Sequence, residues 1–141
     1  MAARFHDDGI SFRYPENWVL EREDQDSGWT VSVQSPETAF LIVTFDAEAP
    51  DIAQMADSAL DTLRAEYEGL EAEPKVESIA GQPAVGHDIR FFSFDLTNTA
   101  WVRGISCEGG SILVLCQIND LELDRNGPVL KAICASLAVD E

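Results

Sequence analysis

FLIVTFDAEAPDIAQMADSALDTLRAEYEGL, residues 40–70, decides how the rest of the chain is read. Its first six residues, Phe40 to Phe45, are apolar on both alternating sets except at Thr44. A strand of that kind is expected to be central in a sheet and covered on both faces. From Ile52 the period changes. Apolar side chains at Ile52, Met55, Ala56, Ala59, Leu60, Leu63, Tyr67 and Leu70 fall three or four apart, one continuous stripe of a helix over 51–69. Asp51 is a good N-cap with Gln54 as its capping-box partner, and Gly69 is a natural C-terminal stop. The opposite face carries Asp57, Asp61, Arg64, Glu66 and Glu68 and is expected to be solvated.

On the N-terminal side of this stretch the chain reads as strands and turns. Ile10 to Tyr14 alternates apolar and polar residues, Pro15-Glu16-Asn17 turns the chain, and Trp18-Val19-Leu20 begins a return strand. Trp18 is expected to anchor that hairpin in the core. Trp29, Val31 and Val33 alternate with Thr30, Ser32 and Gln34, the pattern of a sheet with one wet face. On the C-terminal side, Val76 and Ile79 suggest a strand ended by Ala80-Gly81-Gln82-Pro83. Two strands rich in aromatic and β-branched residues follow, Val85 to Phe94 and Ala100 to Cys107, with Asp95-Leu96-Thr97-Asn98 as their hairpin loop. Gly109-Gly110 predicts a tight hairpin into Ile112–Ile118. Pro128 fits the first turn of a last helix whose stripe is Leu130, Ile133, Cys134 and Leu137. Strands, helix, strands, helix, with no linker or repeat, predict one α+β domain over residues 1–141. Its expected architecture is an antiparallel sheet of about six or more strands flanked by two helices, a layered α/β/α sandwich.

Gly9-Ile10-Ser11-Phe12-Arg13-Tyr14-Pro15-Glu16-Asn17-Trp18 resembles the opening hairpin of the PsbP-like superfamily. That group includes the thylakoid PsbP proteins, a Ran-binding nuclear import factor and the bacterial DcrB-like proteins. The later layout is similar over about residues 9–138: a long helix after the fourth strand, Gly81-Gln82-Pro83-Ala84, a meander and a helix ending near Ser136-Leu137. The resemblance implies an antiparallel sheet between helices, and adaptor, binding or chaperone roles more than catalysis. The matching positions are core and turn residues, so no functional residue is carried over.

Charge narrows the partners. Nine Lys and Arg against 26 Asp and Glu leave a net charge of −17, which repels phosphate backbones and anionic lipid. No nucleic acid and no membrane partner is therefore expected; a protein or peptide partner is, with the chain a monomer or homodimer. No apolar stretch reaches membrane-span length and the first residues hold no secretory h-region, so a cytoplasmic location is expected. Cys107, Cys116 and Cys134 form no metal spacing, and Cys116 and Cys134 read as small core hydrophobes. Asp24-x-Asp26-x-Gly28 lacks the Glu a calcium loop needs at its twelfth position, where Ser35 stands. No catalytic motif, cofactor loop or metal set is recognised. His87 and Asp88, as neighbours on a strand, point to opposite faces, and His87 is expected to be a hydrogen-bonded structural residue.

The candidate site comes from pairing arithmetic. If the hairpin closes on 95–98, Arg90 faces Arg103 and Phe92 faces Trp101. Asp88, Arg90, Phe92, Phe94, Trp101 and Arg103 then share one face. Two opposed arginines beside aromatic rings predict a binding face that grips a carboxylate or phosphate. The competing reading makes the same face core beneath a helix, shared with Ile105, Ile112, Val114 and Cys116, the arginines turned toward nearby acids. Two functions follow: a non-enzymatic adaptor or chaperone-like module that docks a protein or peptide, or a small-anion carrier or enzyme using the Arg pair, with Asp88 or His87 titrating.

Overall fold

The computed structural model describes residues 2–140, as ten strands and two helices. Strands β1 (Ala2–Asp7), β2 (Ile10–Pro15), β3 (Val19–Gln25), β4 (Gly28–Gln34) and β5 (Phe40–Asp46) precede helix α1 (Ile52–Glu66). Then come β6 (Glu71–Ile79), β7 (Gln82–Ser93), β8 (Leu96–Cys107), β9 (Gly110–Asn119), helix α2 (Leu123–Ala135) and β10 (Ala138–Val139). Seven strands make one antiparallel sheet in the order β3-β4-β5-β9-β8-β7-β6, and a three-stranded sheet runs β1-β2-β10. After β5 the chain crosses one face of the large sheet as α1, enters the far edge as β6, and meanders back until β9 pairs with β5. The architecture is the expected α+β sandwich with an antiparallel sheet.

The two faces of the large sheet are covered differently. Leu60, Leu63 and Ala56 of α1 pack on Ile89, Phe91, Ala100 and Val102. The opposite face holds the larger core, where Trp29, Val31, Val33, Leu41, Val43 and Phe45 meet Phe5, Ile10 and Phe12 of the small sheet and Leu130 and Ile133 of α2. Here β5 departs from expectation. It is interior to the sheet, but only Leu41, Val43 and Phe45 are fully buried; Phe40, Ile42 and Thr44 are half-buried. The reason is reach: α1 lies over β7, β8 and β9 and does not extend to β5.

Several local readings shift for identifiable reasons. The strands on either side of Pro15–Trp18 do not form a hairpin. β2 pairs with β1 and β10, while β3 pairs with β4, so this turn carries the chain from one sheet to the other. The Trp18 indole is buried where it does so. Strand β1 is not legible in the sequence because it buries one side chain, Phe5, among polar neighbours. Helix α1 ends at Glu66, three residues before Gly69. Tyr67 takes an extended conformation, which stacks its ring on Phe91 at 4.0 Å between centroids. Asp51 caps α1, accepting from the Ala53 N–H at 3.3 Å. α2 begins at Leu123, so Pro128 lies inside it. The hydrogen bond Pro128 cannot donate would have gone to Asp124, and both residues are exposed, so the helix continues past it.

The start of α2 is tied to the sheet by a buried carboxylate. Glu122 is 4% exposed and accepts from the Thr38 hydroxyl (2.6 Å), the Thr38 and Ala39 N–H groups (3.0 and 2.9 Å) and the Asn126 amide (3.1 Å). Burial alone would push its pKa up; the donors from Thr38, Asn126 and Ala39 outweigh it and hold the group below the usual carboxylate range. A carboxyl depressed by folding contributes stability that is present above its unfolded pKa and lost as the pH falls through the folded value. The unfolded value lies near 4.3, so the loss is confined to acid below it (about 4.3 for Glu). Glu122→Gln should be less stable than wild type at neutral pH, with the gap closing in acid. Denaturant melts at several pH values check this; a gap that does not change with pH would refute it.

Candidate functional site

Helix α2 covers the inner face of the sheet over β9 and the adjoining part of β8, then stops short of the edge. The uncovered face of β6, β7 and β8 and the flank of α2 enclose an open groove of about 1400 Å³. Pleating turns alternate side chains of these strands to the groove face: Glu71, Glu73, Lys75 and Glu77 on β6, Asp88 and Arg90 on β7, Thr99, Trp101 and Arg103 on β8. Asp124, Pro128 and Lys131 line the helical wall.

The β7–β8 hairpin closes on Phe94-Asp95, not on residues 95–98. Ser93 pairs with Leu96, and both turn residues have positive φ, 53° and 62°. This register sets Ile89 against Ala100 and Ala84 against Ile105, large side chains beside small ones. The shift from the expected pairing is an even number of residues, so the five candidates other than Phe94 keep their common face. The arginines, however, are no longer opposed: Arg90 pairs with Thr99 and Arg103 with Gly86. Phe94 leaves the sheet face altogether and stands 95% exposed at the turn, and Phe92, 70% exposed, lies beyond the groove. The groove thus brings together Asp88, Arg90, Trp101 and Arg103, and not Phe92 or Phe94.

Arg103 is not a free anion grip. It is 3% exposed, and its Nε–H donates to Glu77 Oε2 and its Nη2–H to Asp88 Oδ1, each at 2.6 Å. Nη1 donates to the carbonyls of His87 and Val102 at 2.9 and 3.0 Å. Ile105, Ile112, Val114 and Cys116 share its face and sit in the main core, so core beneath a helix is the correct description of this end. Gly86 explains the geometry. It lies directly across from Arg103, between it and β6, and a Cβ there would come within 1.7 Å of the Val102 carbonyl oxygen. The missing side chain lets β7 and β8 approach closely beside Arg103, whose guanidinium reaches Glu77 two strands away. Arg90 is exposed and, among the described residues, has no ion-pair partner; the same holds for Lys75 and Lys131. His87 points to the other face and bonds Asp57 of α1 at 2.7 Å, a structural histidine.

The β6 acids and Lys131 were not anticipated. Glu71, Glu73, Lys75 and Glu77 occupy every second position, a period-two signal of one polar face. Val76 and Ile79, the residues that suggested the strand, differ in parity and point to opposite faces. Among the described residues no three His, Cys, Asp or Glu side chains converge as a metal ion would require, and no helix is long and apolar enough to cross a membrane.

No protein-family model and no curated protein sequence matches the chain. Solved structures do. Cyanobacterial PsbP (CyanoP) from Synechocystis superposes with a TM-score of 0.64 at 17% identity, covering 99% of this chain and 92% of that one. LpqN of Mycobacterium tuberculosis gives 0.56 at 14% identity, covering 100% and 91%. PA94 of Pseudomonas aeruginosa, a protein of unknown function, gives 0.55 at 14% identity, covering 99% and 98%. At such identities the likeness is one of fold, and the chain has the PsbP-like fold.

Proposed function

We propose that this protein is a non-enzymatic binding module that docks a protein or peptide segment in the groove between α2 and strands β6–β8. One observation carries the reading: the inner face of the sheet is left open over β6, β7 and part of β8, beside the half-buried indole of Trp101. Four of the chain's nine basic residues line this groove against five of its 26 acids, so it is near neutral in a chain of net charge −17. With Glu77 and Asp88 held by Arg103, the cations left to meet a guest are Lys75, Arg90 and Lys131. A neutral or mildly acidic segment with an apolar anchor suits that lining, while the rest of the surface repels acidic guests. The same reading puts the protein in the cytoplasm, where an odd count of three cysteines stays reduced.

Selection from a random peptide library tests this. Peptides that bind the wild type should lose about tenfold or more in affinity, roughly 1.4 kcal/mol, on Arg90→Glu and on Lys131→Glu. Both side chains are exposed, so melting temperatures should stay close to wild type. Peptides that bind both variants as tightly as the wild type, or a selection that returns none, would overturn the proposal.

A further inference from the structure

Cys116 lies on β9 and Cys134 on α2, in different layers and 18 residues apart in sequence. Their Sγ atoms are 3.5 Å apart, and both thiols are free. Cys116 is fully buried; Cys134 is half-buried and lines the groove, so a small solute in the groove meets Cys134 first. A disulfide needs the sulfurs at about 2.05 Å, which asks for a short approach across an existing contact. We propose that Cys134 and Cys116 form a peroxide-oxidised dithiol site in the groove wall, Cys134 as the attacking sulfur and Cys116 as the resolving one.

The electrostatics support that division of roles. The hydrogen bond from Cys116 lowers the Cys134 pKa, favouring its thiolate, whereas burial pushes the Cys116 thiol well up and keeps it protonated. Burial of Cys134 opposes its thiolate and the Trp101 indole N–H favours it; of the nearby charges, Glu77 opposes it and Arg103, the smaller influence, favours it. In the first step the Cys134 thiolate attacks one peroxide oxygen; the S–O bond forms, the O–O bond breaks, and hydroxide leaves to take a proton. In the second the Cys116 sulfur attacks the Cys134 sulfenic acid; the S–S bond forms, the S–O bond breaks, and water departs with the Cys116 proton. Two electrons pass from the sulfurs to hydrogen peroxide, which ends as two waters. The product fastens α2 to β9 at the groove wall, so the oxidation state sets how freely that wall moves. The site needs no occupant of the groove and stands apart from the peptide-binding reading.

Hydrogen peroxide added to the folded full chain in slight excess should remove two of the three thiols, leave Cys107, and lower the intact mass by two hydrogen atoms. A digest should show a Cys116–Cys134 cross-link, dithiothreitol should restore both thiols, and the oxidised chain should melt above the reduced one. Cys134→Ala should abolish Cys116 oxidation. Cys116→Ala should stop at a sulfenic acid on Cys134 that dimedone traps. Circular dichroism confirms the folding of each variant; if Cys116→Ala fails to fold, the wild-type and Cys134→Ala results decide. Thiols unchanged by peroxide that oxidises free glutathione, a stable dimedone adduct on wild-type Cys134, or first oxidation at Cys107 would each overturn the proposal.

Discussion

Arg103→Ala should destabilise the protein by about 3 kcal/mol. The guanidinium makes four hydrogen bonds while almost wholly buried, two of them to carboxylates. Its removal leaves Glu77 and Asp88 without their cation and two carbonyls without their donor, and it opens a cavity beneath α2. The loss falls at the low end of the range for breaking a buried ion pair, because Glu77 and Asp88 are 43% and 45% exposed and rehydrate in place. For a chain of this length that is a fall in melting temperature of roughly 10 °C. Asp88→Asn, which keeps an acceptor and leaves Glu77 as counter-ion, should cost roughly 1 kcal/mol. Calorimetry on both variants decides the matter. An Arg103→Ala chain that melts with the wild type would mean that the ion pairs of Arg103 with Glu77 and Asp88 contribute nothing to stability.

The second large effect is expected at Trp29. Its indole is 1% exposed and joins the two sheets: Phe5 of the small sheet meets it edge-on at 5.0 Å, and Phe45 of the large sheet lies 5.7 Å away. Nε1–H donates to Asp8 Oδ2 at 2.8 Å, and the Arg22 guanidinium sits 5.6 Å from the ring. Trp29→Ala removes the largest fully buried side chain and should cost on the order of 4–5 kcal/mol. Trp29→Phe keeps most of the apolar area but strands Asp8, so its cost should be about half as large. Because the indole bridges the sheets, the alanine variant should also loosen β1 and β2 before the rest, which amide exchange detects as early loss of protection at residues 2–15. Equal protection of both sheets in the variant would contradict the bridging role.

These two residues mark the limits of what one dimension carries. Trp29 is legible from alternation: its parity with Val31 and Val33 places it on the buried face whatever the sheet order. The helix at 52–66, expected over 51–69, and the strands of the large sheet follow likewise from periods of 3.6 and 2, because burial acts on every side chain separately; the one-sided burial of β5 and the inward face of β6, where Val76 and Ile79 differ in parity, did not. The common face of Asp88, Arg90, Trp101 and Arg103 survives for the same reason, since an even slip leaves parity unchanged. Partnership is another matter. The sequence by itself determined which residues of the other elements face inward; only the tertiary structure decided that Arg103 meets Glu77 across Gly86, that Glu122 reaches Thr38, and that Cys116 touches Cys134. Those contacts span 26, 84 and 18 residues. They depend on strand order and on where α2 lies, which come from the joint packing of all layers and leave no periodic mark on the chain.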